Sequence, residues 1–105
     1  MSNHEAKFKV GQIIHHKLFD YLGAIFDVDP TFQGSDEWYE HMARSRPPRD
    51  SPWYHVLVDQ AVHTTYVAEQ NLGSAEAPQR IVNPMVDRLF CEFDGEQYTL
   101  RRQSH

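Results

Sequence analysis

The sequence predicts an all-β fold, a small barrel of SH3-like or OB-like type with one or two short helical insertions. Three observations lead there. The apolar residues fall in five or six short runs broken by turn residues, which is the pattern of strands rather than long helices. Two pairs of these runs are close enough to form hairpins, one around Gln60-Ala61 and one around Asp94-Gly95. The whole chain is only 105 residues, the size of one domain, and so many strand edges in one small domain must be closed or covered.

The first strand begins within Phe8 to Lys17, where Val10-Gly11-Gln12 leads into Ile13 and Ile14. Leu22 to Val28 forms the second. Gly23 within it marks a bulge or a close backbone approach, and Asp29-Pro30 ends it because proline lacks an amide donor. Ser35-Asp36-Glu37 then offers a cap and an acidic first turn. Trp38, Tyr39 and Met42 follow at helical spacing, so a helix of about two to three turns is expected before Pro47-Pro48 forbids its continuation.

Trp53 to Asp59 and Val62 to Ala68 read as an antiparallel hairpin. Pairing Asp59 with Val62 would set His55 opposite Tyr66 and Tyr54 opposite Val67, although Gln-Ala is poor chemistry for a two-residue turn and points to a wider loop. Glu69 to Leu72 fits a single helical or 3₁₀ turn closed by Gly73, and Ser74 to Arg80 a loop. Met85, Val86, Leu89 and Phe90 fit a short amphipathic helix with Pro84 at its first position. Phe90 to Phe93 and Gln97 to Leu100 form the last hairpin, leaving 1–6 and 101–105 as flexible ends of a domain spanning 7–100.

Composition narrows the function. Ten Lys and Arg stand against fifteen Asp and Glu, a net charge of −5, which excludes a basic footprint over the whole domain but leaves room for a small basic strip. Cys91 is the single cysteine, so neither an internal disulfide nor a cysteine-based zinc site can form; inside a predicted strand, it is expected to be a buried thiol. Without an apolar leader segment or a membrane-length apolar run, the protein is expected to be soluble and cytoplasmic. Of the seven histidines, His15 and His16 point to opposite faces of a strand, and no third ligand is apparent for His55 and His63, so no metal is assigned. There is no nucleophile elbow and no phosphate-cradling glycine loop, so neither an enzyme nor a cofactor is predicted. Trp38, Trp53, Tyr21, Tyr39, Tyr54 and Tyr66 supply either core packing or a stacking face, and Arg44, Arg46 and Arg49 around Pro47-Pro48 form the densest basic stretch.

Three ordered blocks resemble the bacterial HspQ/YccV-like family, the hemimethylated-DNA-binding domain family. They are Lys7-Phe8 through Val10-Gly11-Gln12 and His16 to Tyr21-Leu22-Gly23-Ala24-Ile25 and Asp27-Val28-Asp29-Pro30; Pro52-Trp53-Tyr54-His55-Val56-Leu57; and Tyr66-Val67-Ala68-Glu69-Gln70-Asn71-Leu72. With Ile81-Asn83-Pro84 they span roughly residues 7 to 100. The resemblance implies a small SH3-like antiparallel barrel, non-catalytic and cytoplasmic, assembling as a homo-oligomer, a trimer. It implies two compatible partners: hemimethylated DNA, and an ATP-dependent protease whose degradation of selected substrates a heat-shock accessory factor would promote.

For DNA, the residues to contact phosphate are Arg44, Arg46 and Arg49, with Arg101 and Arg102 from the tail. Gln12, Asn71 and Tyr54 are the candidates for the methylated adenine edge. For a protein partner, Trp38, Tyr39 and the Arg101–His105 tail are the candidate anchors, a reading that suits an acidic chain.

Overall fold

The computed structural model describes residues 5–43 and 45–101. Seven strands dominate: β1 (Ile13–His16), β2 (Leu22–Asp29), β3 (Trp53–Val58), β4 (Thr64–Ala68), β5 (Leu72–Ser74), β6 (Phe90–Phe93) and β7 (Tyr98–Leu100). Two short helices, α1 (Asp36–Met42) and α2 (Val86–Leu89), and a 3₁₀ turn at Glu69–Asn71 complete the order. The fold is all-β and barrel-like, as predicted. Among the described residues, no helix is long and apolar enough to cross a membrane.

Five strands form one antiparallel sheet in the order β4-β3-β2-β1-β5, and β6 pairs with β7. The sheet is forced to curl. Its two outermost strands, β4 and β5, are joined only by the 3₁₀ turn. The chain from Ala68 to Leu72 can span at most about 14 Å, whereas five flat strands would hold their outer members roughly 19 Å apart. The concave face therefore closes on Ile14, Ile25, Tyr54, Val56, Val67 and Leu72. The convex face is covered at both ends. Ile13, Ala24 and Leu57 pack under Phe90 and Tyr98 of the second hairpin. Trp53 and Ala68 pack under Tyr39 and Ala43, at the end of α1.

The β3–β4 register is the predicted one, with His55 opposite Tyr66 and Tyr54 opposite Val67. The loop is wider than two residues because its polar groups are used elsewhere. The Asp59 amide donates to Leu22 O at 2.9 Å, and the Gln60 amide to Val82 O at 2.8 Å. The expected helix forms: the Ser35 hydroxyl accepts the Trp38 amide at 3.0 Å, and the helix ends at Ala43. Gly23 is a close-approach position, since a Cβ there would lie 2.4 Å from Val56 Cγ1 and 2.7 Å from Leu57 O. The bulge falls further on, between Ile25 and Asp27.

Four expectations are corrected. Gly73 does not close the 3₁₀ turn; it lies within β5, paired with His15. Phe90 is not helical; α2 ends at Leu89, and Phe90 begins β6, where its ring stacks on Tyr98. Pro84 is not the first helical residue, because α2 starts at Val86. Cys91 is exposed, since strand alternation gives the buried side of β6 to Phe90.

His15 and His16 do part to opposite faces. His16 is only 4% exposed, and its Nδ1 accepts the amides of Leu18 and Phe19, both at 3.1 Å. Its ring lies between Phe19 and Tyr21, with centroids 4.8 and 5.0 Å away. Burial, and secondarily the neighbouring His15, lower its pKa. A proton on Nδ1 would face two amide hydrogens and break the turn between β1 and β2. The folded value lies below the unfolded one, near 6.5, so the stability linked to this group is complete above that pH. It is lost as the pH falls toward the folded pKa. Urea midpoints should therefore fall between pH 7.5 and pH 5, and His16→Asn, which keeps an acceptor without titrating, should fall less.

Candidate nucleic-acid interface

The basic strip expected around Pro47-Pro48 is present but internally neutralised. Arg46 Nη1 lies 2.8 and 2.9 Å from the two carboxylate oxygens of Glu40, and this hydrogen-bonded contact holds the Glu40 carboxyl below its usual range. Arg49 pairs with Asp36. Both guanidiniums stack against Tyr39, at 5.9 Å for Arg46 and 4.7 Å for Arg49, so one ring gathers the two cations. Arg44 and Arg102 lie outside the described residues. Arg101 sits apart, donating to the Phe90 carbonyl at 3.2 Å beside the second hairpin.

The candidates for base recognition separate. Asn71 donates to the Ser45 hydroxyl at 3.3 Å, which ties it to the loop carrying Arg46. Gln12 is engaged locally, accepting the Lys9 amide and donating to Ser74 Oγ, each at 3.1 Å. Tyr54 is fully buried and its hydroxyl donates to Glu69 at 2.6 Å; burial first, then that carboxylate, push its pKa up. A ring in that position is core and offers no face for stacking. Tyr39 is likewise buried, donating to the Pro47 carbonyl at 2.7 Å. Trp38 is half-buried at the edge of the same aromatic cluster.

Two lysines emerge that the basic stretch had overshadowed. Lys7 and Lys17 line one groove with Pro48 and Gln70, and neither is in an ion pair with another described residue. The Lys17 amide donates to Asn71 O at 2.8 Å. Hydrogen bonds thus link the backbone of Lys17 to Asn71, and Asn71 to Ser45, the residue before Arg46, while Glu69 also lines the lysine groove. Lys7 and Lys17 lie far from the proline pair in sequence, so nothing local groups them with it. On the other side of Asn71 is a groove of about 310 Å³ whose lining includes Leu18, Phe19, Trp38, His41 and Met42. Phe19 is 74% exposed there, and Leu18 and Met42 are also exposed. Its described lining contains no carboxylate. Among the described residues, one group of side chains has metal-ligating donors in reach of one another: Asp27, Asp29 and His55.

The family model for "Hemimethylated DNA-binding protein YccV like" matches residues 6–97, nearly the whole chain. The chain belongs to the YccV-like family. The YccV-like match covers β1 to β6 and α1, and with them the lysine groove and the aromatic cluster. DNA is thereby the partner class associated with this domain. Arg101 falls beyond the YccV-like match, whereas Lys7, Lys17, Arg46, Arg49 and Asn71 fall within it.

Proposed function

We propose that this protein is a non-catalytic, cytoplasmic regulatory module that binds hemimethylated DNA. The observation that carries this reading is the family match over residues 6–97. The groove holding Lys7 and Lys17, and the hydrogen bonds from Lys17 through Asn71 to the loop of Arg46, support it, because phosphate neutralisation by a few cations is what a domain of net charge −5 can still offer. On this reading Asn71 approaches the adenine edge, and Arg46 exchanges Glu40 for a phosphate. Assembly as a trimer would multiply the strip, with Arg44, Arg49, Arg101 and Arg102 as further phosphate contacts and Gln12 as a further base contact.

The test is duplex binding across a salt series with unmethylated, hemimethylated and fully methylated forms of one sequence. A preference for the hemimethylated duplex is expected to survive at ~150 mM salt. Combined Lys7→Ala, Lys17→Ala and Arg46→Ala should flatten the log–log salt slope by roughly 2 to 3, at about 0.9 per phosphate contact. Binding blind to methylation would overturn the reading, and an unchanged slope would remove this strip from it.

A second reading, a heat-shock accessory factor docking on an ATP-dependent protease or its substrates, is favoured by the groove beside Trp38. Exposed Phe19, Leu18 and Met42 on an acidic protein are anchors for a protein rather than for phosphate. Absence of duplex binding in the salt series would make this the leading account.

A further inference from the structure

The middle of the convex face, between its two covers, carries Asp27, Asp29 and His55. The bulge after Ile25 brings them together. It lets both Phe26 and Asp27 oppose His55, so that Asp27 and Asp29 reach the His55 side of the sheet. Each offers one ligand atom, and the three lie within 4.8 Å of one another. His55 Nε2 is 3.0 Å from Asp29 Oδ2.

We propose that these three side chains bind a single divalent cation of the zinc type. A group of carboxylates alone would be a solvated acidic patch, but here the third donor is an imidazole, which selects borderline d-block ions over magnesium or calcium. Donors around a tetrahedral zinc at about 2.1 Å lie about 3.4 Å apart, so no pair within the 4.8 Å group has to close by more than about 1.4 Å. The exposed Asp27 side chain is free to make that adjustment. No Lys or Arg forms an ion pair with either carboxylate among the described residues, although Asp29 is largely buried.

The imidazole is already held in place for this role. Its ring is flanked by Phe26 and Tyr66, with centroids at 5.7 and 4.5 Å. The Tyr66 hydroxyl donates to Asp29 Oδ2 at 2.7 Å, an outer contact of the kind that orients a ligating carboxylate. Asp27 Oδ1 accepts the Val28 amide at 2.9 Å, which leaves its second oxygen for the ion. The ion would be completed by water and would tie β2 to β3, and through Tyr66 to β4.

The test is titration of the full chain at neutral pH, with Zn²⁺ by calorimetry and with Co²⁺ by visible absorption. One ion per chain is expected, with cobalt bands of a low-coordinate N/O site and no displacement by a hundredfold excess of Mg²⁺. Asp27→Asn and His55→Gln should each weaken Zn²⁺ at least tenfold. Asp27 is exposed, so that variant leaves the fold intact and keeps the test decisive if His55→Gln unfolds. Absence of binding, displacement by Mg²⁺, or Zn²⁺ affinity unchanged in Asp27→Asn would overturn the proposal, the last by assigning the ion to other histidines. None of these results bears on the duplex titration, so the two readings stand or fall separately.

Discussion

Trp53→Ala is expected to lower the urea and thermal unfolding midpoints substantially. Trp53 is 1% exposed and lies where three elements meet. Its ring centroid is 4.8 Å from Phe32, 5.2 Å from Tyr66, 6.0 Å from Trp38 and 6.3 Å from Tyr39. Its Nε1 donates to the Pro48 carbonyl at 3.1 Å, so the same side chain anchors the diproline exit from α1. Truncating such a residue costs about 3–5 kcal/mol, against a total of about 5–15 kcal/mol for a domain. At about 4–8 °C per kcal/mol, the thermal midpoint should fall by roughly 12–40 °C. Trp53→Phe retains most of the contacts and should lose less than half of this. If Trp53→Ala left the midpoint within a few degrees of the parent, the aromatic cluster would not be holding α1 to the sheet.

Gly11→Ala should be the most damaging change of a single methyl group. Gly11 has φ of +92°, a left-handed conformation, and a Cβ there would stand 1.9 Å from Tyr98 O. The backbone has no room to retreat. The Gly11 amide donates to Ile25 O and its carbonyl accepts the Tyr98 amide, both at 2.7 Å. Accommodating the methyl means parting β7 from the main sheet, with backbone strain of about 1–3 kcal/mol and the loss of at least one paired hydrogen bond. A destabilisation of about 3 kcal/mol is expected by urea unfolding. Gly95→Ala is the control: its φ is +103°, but no atom lies within 4 Å of the added Cβ, so only the local strain remains. Equal losses in the two variants would contradict the steric argument.

What the sequence revealed depended on the range of the interaction. The β3–β4 register was readable because a hairpin joins neighbours in the chain. The cap of α1 and the Asp94-Gly95 turn are equally local, and Asp94 Oδ1 indeed accepts the Glu96 and Gln97 amides at 2.9 Å each. β5 was hidden because Leu72-Gly73-Ser74 has no pattern of its own and becomes a strand only by pairing with β1. The arginines were found but their neutralisation was not: Arg49 meets Asp36 across the helix and its exit loop, at no helical spacing. Asp27, Asp29 and His55 were not grouped, because Asp29 read as the end of the strand and their meeting needs both the β2–β3 register and the bulge. Lys17 reached Asn71 through the β1–β5 pairing, which local pattern does not announce.

The curl of the sheet also sets the order in which the molecule can be completed. Strand β1 gains its second partner only when Leu72–Ser74 arrives, and Gly11 meets Tyr98 from the opposite end of the chain. During synthesis the first two hairpin strands and then β3 and β4 can assemble as they emerge, but β1 remains an open edge until β5 follows them. Such an edge is a template for pairing with another chain until its own closure arrives. Closure joins distant segments, so its loop entropy makes it slow compared with hairpin formation. The interval between the pairing of β1 with β2 and the arrival of Leu72–Ser74 is thus when this edge is most exposed to aggregation, and it lengthens when elongation slows before β5 emerges.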